Sequence, residues 1–214
     1  MHAFVAGGSG QTGGHVIDIL IDRGHTVTAL VRNRNNVRRR PGLSIQQGTP
    51  ARKEDLERCF SKEKPNAVFV NLASKDSSNN AFLTGVVKNL VDVMKEYKVP
   101  KIVYMSAFGV GNSFPAMNWL MKIYVRNSNL SNEFKDHEGS EQILRDAAFQ
   151  GIQWISVRPV MLRDGPAREV IELGDGGERR DSFMPGITRA SVAAFMVKAE
   201  EQETWYSKTP VIRN

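Results

Sequence analysis

Along this chain, short apolar runs alternate with stretches where apolar residues return every three or four positions, the pattern of strands alternating with amphipathic helices. Ala3-Phe4-Val5-Ala6 reads as a first strand. Val16, Ile17, Leu20 and Ile21, with Asp18, Asp22 and Arg23 on the other face, predict a helix that stops at Gly24. Strands are expected over 26–31, 43–47, 67–73, 101–105 and 154–157, the last followed by Arg158-Pro159. Helices are expected over 51–61, around Val86, Val87, Leu90, Val91 and Met94, and over 133–149 with Ile143 and Leu144 inward. Two more short strands and a helix over 192–199 close the chain. No linker or repeat interrupts the alternation, so one domain, 1–214, is expected, with a parallel sheet covered on both faces.

The first strand runs directly into Gly7-Gly8-Ser9-Gly10-Gln11-Thr12-Gly13 and then into the first helix. Glycines in a G-x-x-G-x-x-G spacing allow a tight turn and a close approach of backbone to a pyrophosphate, with the helix N–H groups aimed at the anion. The fold class is therefore α/β, a Rossmann-like doubly wound parallel sheet that binds a dinucleotide. An acidic residue ending the second strand would hold a ribose diol; a basic one would pair with a 2′-phosphate. Here the residue is Arg32, and no Asp or Glu occurs between Gly24 and Glu54. NADPH is thus the expected cofactor, with Arg32 and Arg34 as the phosphate ligands, while Arg38 to Arg40 either add to that basic cluster or form a solvated turn or a nuclear-localisation-like patch. In such a sheet the ligand crevice lies outside the carboxyl ends of the strands. Gly7 to Thr12, Arg32, Thr49, Ala73 to Lys75 and Ser106 should converge there.

Composition adds bounds. The 214 residues carry a net charge of +6, and the arginines beside the presumed phosphate site explain much of the excess, so no nucleic-acid partner is expected. Cys59, the single cysteine, sits at helical spacing among apolar residues and reads as core. No apolar run is long enough to span a bilayer, and the chain opens at once on a strand, so a cytoplasmic protein without membrane contact is expected. A small-molecule substrate and a monomer or weak homo-oligomer complete the picture. Residues 112–132, rich in Phe114, Met117, Trp119, Leu120, Met121, Ile123 and Tyr124, read either as a lid over a flat substrate or as a peripheral helix.

Five segments in order, Gly7–Gly13, Thr28-Ala29-Leu30-Val31-Arg32, Ser106-Ala107-Phe108-Gly109, Val157-Arg158-Pro159 and Ile187-Thr188-Arg189-Ala190-Ser191-Val192-Ala193, carry a resemblance to the atypical short-chain dehydrogenase/reductases, in particular the biliverdin reductase B (flavin reductase) and NmrA-like group. The resemblance implies that Gly7, Gly10, Gln11 and Thr12 cradle the pyrophosphate and Arg32 holds the 2′-phosphate. It places Thr49 by the adenine and Leu72, Ala73, Ser74, Lys75 and Ser106 by the nicotinamide, with Pro159 also on the cofactor. Typical superfamily members use a Tyr-x-x-x-Lys pair after the serine-bearing strand. The only literal match, Tyr97-Lys98-Val99-Pro100-Lys101, precedes Ser106 and is broken by Pro100, so it is a decoy. Glu133 and His137 stand where the pair should fall; His137 reads as a ribose or proton-relay residue or as a plain surface histidine. Val160 stands where biliverdin reductase B has a histidine, so tetrapyrrole activity is not carried over. The implied activity is an NADPH-dependent reductase passing hydride to a flavin, quinone or aromatic natural-product intermediate, with Ser106 and His137 as catalytic candidates. A non-catalytic NADP(H)-responsive sensor and a redox-neutral isomerase or cyclase are the alternatives.

Overall fold

The computed structural model describes residues 1–73, 81–177 and 186–214. Strand β1 (His2–Ala6) passes through the glycine loop into α1 (Gln11–Asp22) and β2 (Thr26–Val31). A 3-10 turn over Arg34–Asn36 leads to β3 (Leu43–Gln47), α2 (Lys53–Lys62), β4 (Ala67–Val70), α3 (Phe82–Glu96) and β5 (Lys101–Met105). Then come α4 (Trp119–Arg126), α5 (Leu130–Ala148) and β6 (Gln153–Pro159). The chain closes with β7 (Leu162–Arg163), β8 (Ile171–Asp175), β9 (Ile187–Thr188), α6 (Arg189–Gln202) and β10 (Pro210–Arg213).

The main sheet runs β3-β2-β1-β4-β5-β6-β10-β8, and only β8, at one edge, is antiparallel to its neighbour. Strand order reverses between β1 and β4, which opens a crevice at their carboxyl ends. Side-chain alternation divides β1 between two cores: Ala3 and Val5 pack with α1 and α6, Phe4 and Ala6 with α2, α3 and α5. Burial on both faces is why the strands read as continuous apolar runs. Among the described residues no helix is long and apolar enough to cross a membrane.

The chain departs from the sequence reading in several places; β4 ends at Val70, short of the expected 73, and α6 extends past 192–199 at both ends. Four strands follow β6 instead of two, and β10 inserts between β6 and β8. Helix α5 starts at Leu130, three residues early, because Leu130 and Phe134 still pack on the core. Residues 112–132 are not one element: a 3-10 segment over Gly111–Ala116 precedes α4.

Two polar contacts fix α5. The buried Asp136 carboxylate accepts hydrogen bonds from the N–H groups of Leu83 and Thr84, both at 2.8 Å, and so caps α3 from a neighbouring helix. Deeper, Glu141 and Arg158 are both fully buried and meet as a fork, Nε to Oε1 at 2.9 Å and Nη2 to Oε2 at 2.5 Å. Ser156 Oγ donates to Glu141 Oε1 at 2.8 Å, and Arg145 Nη2 to Oε2 at 3.1 Å. Removing one member of such a pair strands a buried charge, so Arg158→Met should lower unfolding stability by about 3 kcal/mol or more, read from urea melts.

Candidate cofactor-binding site

The glycine loop is built by close contacts. Gly7 has φ +86°, and a Cβ there would lie 2.2 Å from the Asn71 carbonyl oxygen. A Cβ at Gly13 would lie 2.2 Å from the Gly7 carbonyl oxygen, so α1 can start against the loop only with glycine at that position. The Gly10 N–H closes the turn on Gly7 O at 2.9 Å. Gly10 is also the N-cap of α1; no side chain caps this helix and its first turn holds no acid. The helix end is therefore open to an anion.

At the carboxyl ends of the two neighbouring strands, β4 and β5, stand Asn71 and Ser106. Both are buried; Asn71 Nδ2 and Oδ1 have no hydrogen-bond partner among the described residues, and the Ser106 hydroxyl has only the Glu141 carboxylate to donate to. Leaving a buried polar group unpaired costs about 1–3 kcal/mol, so this edge suits a ligand that brings both donors and acceptors. The loop, the uncapped helix, the unpartnered Asn71 side chain and the Ser106 hydroxyl together fit the phosphates and carboxamide of a nicotinamide dinucleotide.

Tyr104 on β5 and Ser106 just past its end, two residues apart, share the face under α5. Tyr104 Oη lies 2.6 Å from His137 Nδ1, so His137 is a half-buried residue of this face, not a plain surface histidine. Burial drives its pKa down to about 4, against the opposing pull of the Glu141 and Asp136 carboxylates, and burial raises the Tyr104 phenol far above its usual range. Glu141 responds the other way. Burial pushes its carboxyl up, but hydrogen bonds and charge from Arg158, with Ser156 and Ser106, outweigh it and hold the group ionised.

The remaining candidates lie as follows. Thr49 N–H donates to Asp55 Oδ2 at 3.0 Å, which holds the turn after β3 on a buried carboxylate flanked by Arg52 and Arg58. Leu72 is half-buried and Ala73 exposed at the crevice, whereas Ser74 and Lys75 lie outside the described residues. Arg32 and Arg34 are exposed, Arg32 directly after β2 and Arg34 in the 3-10 turn. Pro159 is buried in β6, and its carbonyl accepts the Phe108 N–H at 3.0 Å. Cys59 is core, its thiol pushed up to about 11 by burial. Tyr97 ends α3 at the amino edge of the sheet, with Lys98 at φ +53°, so this pair stands at the wrong end for Ser106. Sequence reasoning missed Asn71, Tyr104 and Glu141. The legible signal was Arg158, a lone charge inside the apolar strand Trp154-Ile155-Ser156-Val157, which demands a buried carboxylate partner.

An open parallel sheet with a glycine turn and an uncapped helix at its switch point defines a nucleotide-binding α/β protein. Residues 7–203 match the NAD(P)H-binding family, and the chain belongs to it. No curated protein matches the sequence. The fold is similar over the whole chain to ChuY, an anaerobillin reductase from Escherichia coli O157:H7, at a TM-score of 0.81 and 13% identity over 97% of that chain. It is also similar to the oxidoreductase ylbE from Lactococcus lactis, at 0.80 and 13%, covering 100% of this chain and 91% of that one. The Bordetella bronchiseptica enzyme WbmH, solved with NAD⁺, superimposes at 0.66 with 18% identity over 94% of this chain and 71% of its own.

The lowered pKa of His137 couples this face to stability. Between about pH 6.5 and 4 the unfolded chain binds the proton and the folded one does not, so the contribution is full above 6.5 and is lost as pH falls towards 4. Urea midpoints measured from pH 7 to 4 should fall less steeply in His137→Gln than in the parent chain.

Proposed function

We propose that the protein is an NADPH-dependent reductase acting on a flat conjugated acceptor such as a flavin, a quinone or an aromatic natural-product intermediate. The observation that carries this reading is the unpartnered Asn71 side chain, with the Ser106 hydroxyl, beside the uncapped glycine loop. Bound NADPH would supply hydride from its C4, two electrons and a proton, and the acceptor would take a second proton to complete its reduction. Gly7, Gly10, Gln11 and Thr12 hold the pyrophosphate, Arg32 the ribose phosphate, and Thr49 the adenine side. Leu72, Ala73 and Pro159 border the nicotinamide half.

Asn71, through the amide atoms that otherwise lack partners, and Ser106, through its lone pairs, orient the carboxamide. Near neutral pH His137 is uncharged, so it contributes a hydrogen bond and the second proton comes from solvent. On this reading the 112–132 segment covers the acceptor. Trp119, Leu120, Ile123 and Tyr124 remain exposed on α4, while Met117 and Val125 anchor the segment in the core. The structural likeness to an anaerobillin reductase agrees with a reductase assignment.

The test is NADPH oxidation, followed at the reduced-nicotinamide absorbance, with riboflavin, flavin mononucleotide and a set of quinones as acceptors. Turnover with NADPH preferred over NADH is expected. Ser106→Ala should cut kcat by about tenfold, the worth of one buried hydrogen bond, while NADPH still binds. Tight NADPH binding with no turnover on any acceptor would reassign the protein to a cofactor-responsive sensor.

A further inference from the structure

Helix α4 turns its apolar stripe outward. Trp119, Leu120, Ile123 and Tyr124 recur at the spacing of one helix face and are 68, 61, 52 and 59% exposed, whereas a helix packed on a core buries such a stripe. Val125, on the other side, is buried and seats the helix on the fold. Lys122 and Arg126 stand one turn apart along one edge of the stripe, and no Asp or Glu occurs between Glu96 and Glu133. On α5, Glu133 and Glu138 are accompanied by Lys135, and the Asp136 carboxylate is held by the Leu83 and Thr84 N–H groups, so cations outnumber the remaining carboxylates here. The polar groups of α4 and its ends are satisfied locally. Asn118 Oδ1 accepts the Met121 N–H, Asn127 Nδ2 donates to Ile123 O and Lys122 Nζ to Pro115 O, each at 2.8 Å.

An occupant that takes apolar depth and positive charge, and asks for no fixed hydrogen-bond pattern, is a bilayer with anionic headgroups. Trp and Tyr suit it, since their rings bury at the acyl boundary while the N–H and O–H tips stay at headgroup level. Capped helix ends suit it too, because backbone groups entering a region poor in water need partners of their own. A second copy of this chain, paired face to face, would bring the same two cations against each other. We propose that α4 is a membrane-docking helix: Trp119, Leu120, Ile123 and Tyr124 enter the interface of an anionic bilayer, and Lys122 and Arg126 meet its phosphate groups. The net charge of +6 adds attraction at longer range. The expectation of no membrane contact rested on spanning length, which a helix lying in the interface does not need. Docking of this kind stands apart from the reductase reading and goes beyond it.

The test is flotation of the full chain with vesicles of phosphatidylcholine alone and of an equal mixture of phosphatidylcholine and phosphatidylglycerol. The parent chain should bind the mixed vesicles, bind the neutral ones more weakly, and be released by salt. Trp119→Ser and Ile123→Ser should each weaken binding about tenfold, for the loss of one large apolar side chain. Lys122→Gln and Arg126→Gln should each weaken it about fivefold, on the mixed vesicles only. Phe149→Ser, which removes a ring 91% exposed at the end of α5, should bind as the parent does. Urea midpoints check that each variant stays folded. A parent that does not bind the mixed vesicles, or binds the neutral ones as tightly, would overturn the proposal, as would undiminished binding in both Trp119→Ser and Ile123→Ser. Sedimentation velocity reads the rival occupant: self-association that is lost in Trp119→Ser, without vesicle binding by the parent, would overturn it in favour of a second copy.

Discussion

The fork between Glu141 and Arg158 is the constraint on which the carboxyl edge of the sheet depends. Two full charges lie out of water at the meeting of α5 and β6, and their desolvation is offset only because the hydrogen bonds are complete: Arg158 through two nitrogens, Ser156 and Arg145 around one carboxylate. The remaining arm of Arg158 reaches Asn112 Oδ1 at 2.5 Å and so anchors the loop after β5. That loop has little freedom. A Cβ at Gly111 would come within 3.1 Å of Arg158 Nη2, and one at Gly176 within 2.6 Å of Asn112 Nδ2, so the β8 turn closes over the same pair. One ion pair therefore ties a helix, a strand and two loops around the end of β5, where Ser106 stands.

This makes the two faces of the sheet chemically unlike. Under α1 and α6 the packing is largely apolar, the buried Ser191 and Glu200 lying on α6, whereas under the first half of α5 lie Tyr104, Ser106, His137, Ser140, Glu141, Ser156 and Arg158. An ionised carboxylate only accepts hydrogen bonds. The Ser106 hydroxyl donates to Glu141, which leaves its lone pairs for a donor in the crevice and suits it to orienting a ligand.

Much of the architecture was legible because parallel strands buried on both faces leave unbroken apolar runs. The segments over 26–31, 43–47 and 101–105 coincide with β2, β3 and β5 to the residue. The glycine loop was legible for the same local reason, since its spacing reflects contacts between near neighbours. Long-range polar pairing was not. Nothing local to Glu141 distinguishes it from Glu133 or Glu138 on the same helix; it is buried because Arg158, 17 residues on, needs it. Arg32 and Arg34 follow β2 most closely, yet the chain reverses before β3 and carries Arg38 and Arg40 back to the glycine turn. The path of this eleven-residue loop is set by where it must land, and Gly42, at φ +80° before β3, fixes that landing.

The polar face also bears on how an enzyme of this fold can work without a tyrosine–lysine pair. A carbonyl accepting hydride becomes a localised alkoxide and needs an acid within hydrogen-bond reach. Neither buried candidate here is a ready acid at neutral pH: Tyr104 is raised by burial, and His137, depressed to about 4, is already deprotonated. A conjugated acceptor spreads the incoming negative charge over several atoms, so its protonation can be left to solvent. The charges on this face, Glu141 with Arg158 and Arg145 and the Asp136 carboxylate on the α3 N–H groups, are all held by fixed partners, and rigidity of that kind serves positioning. The proposed acceptor class follows from this argument: the residues supply orientation, and the substrate must supply its own charge dispersal.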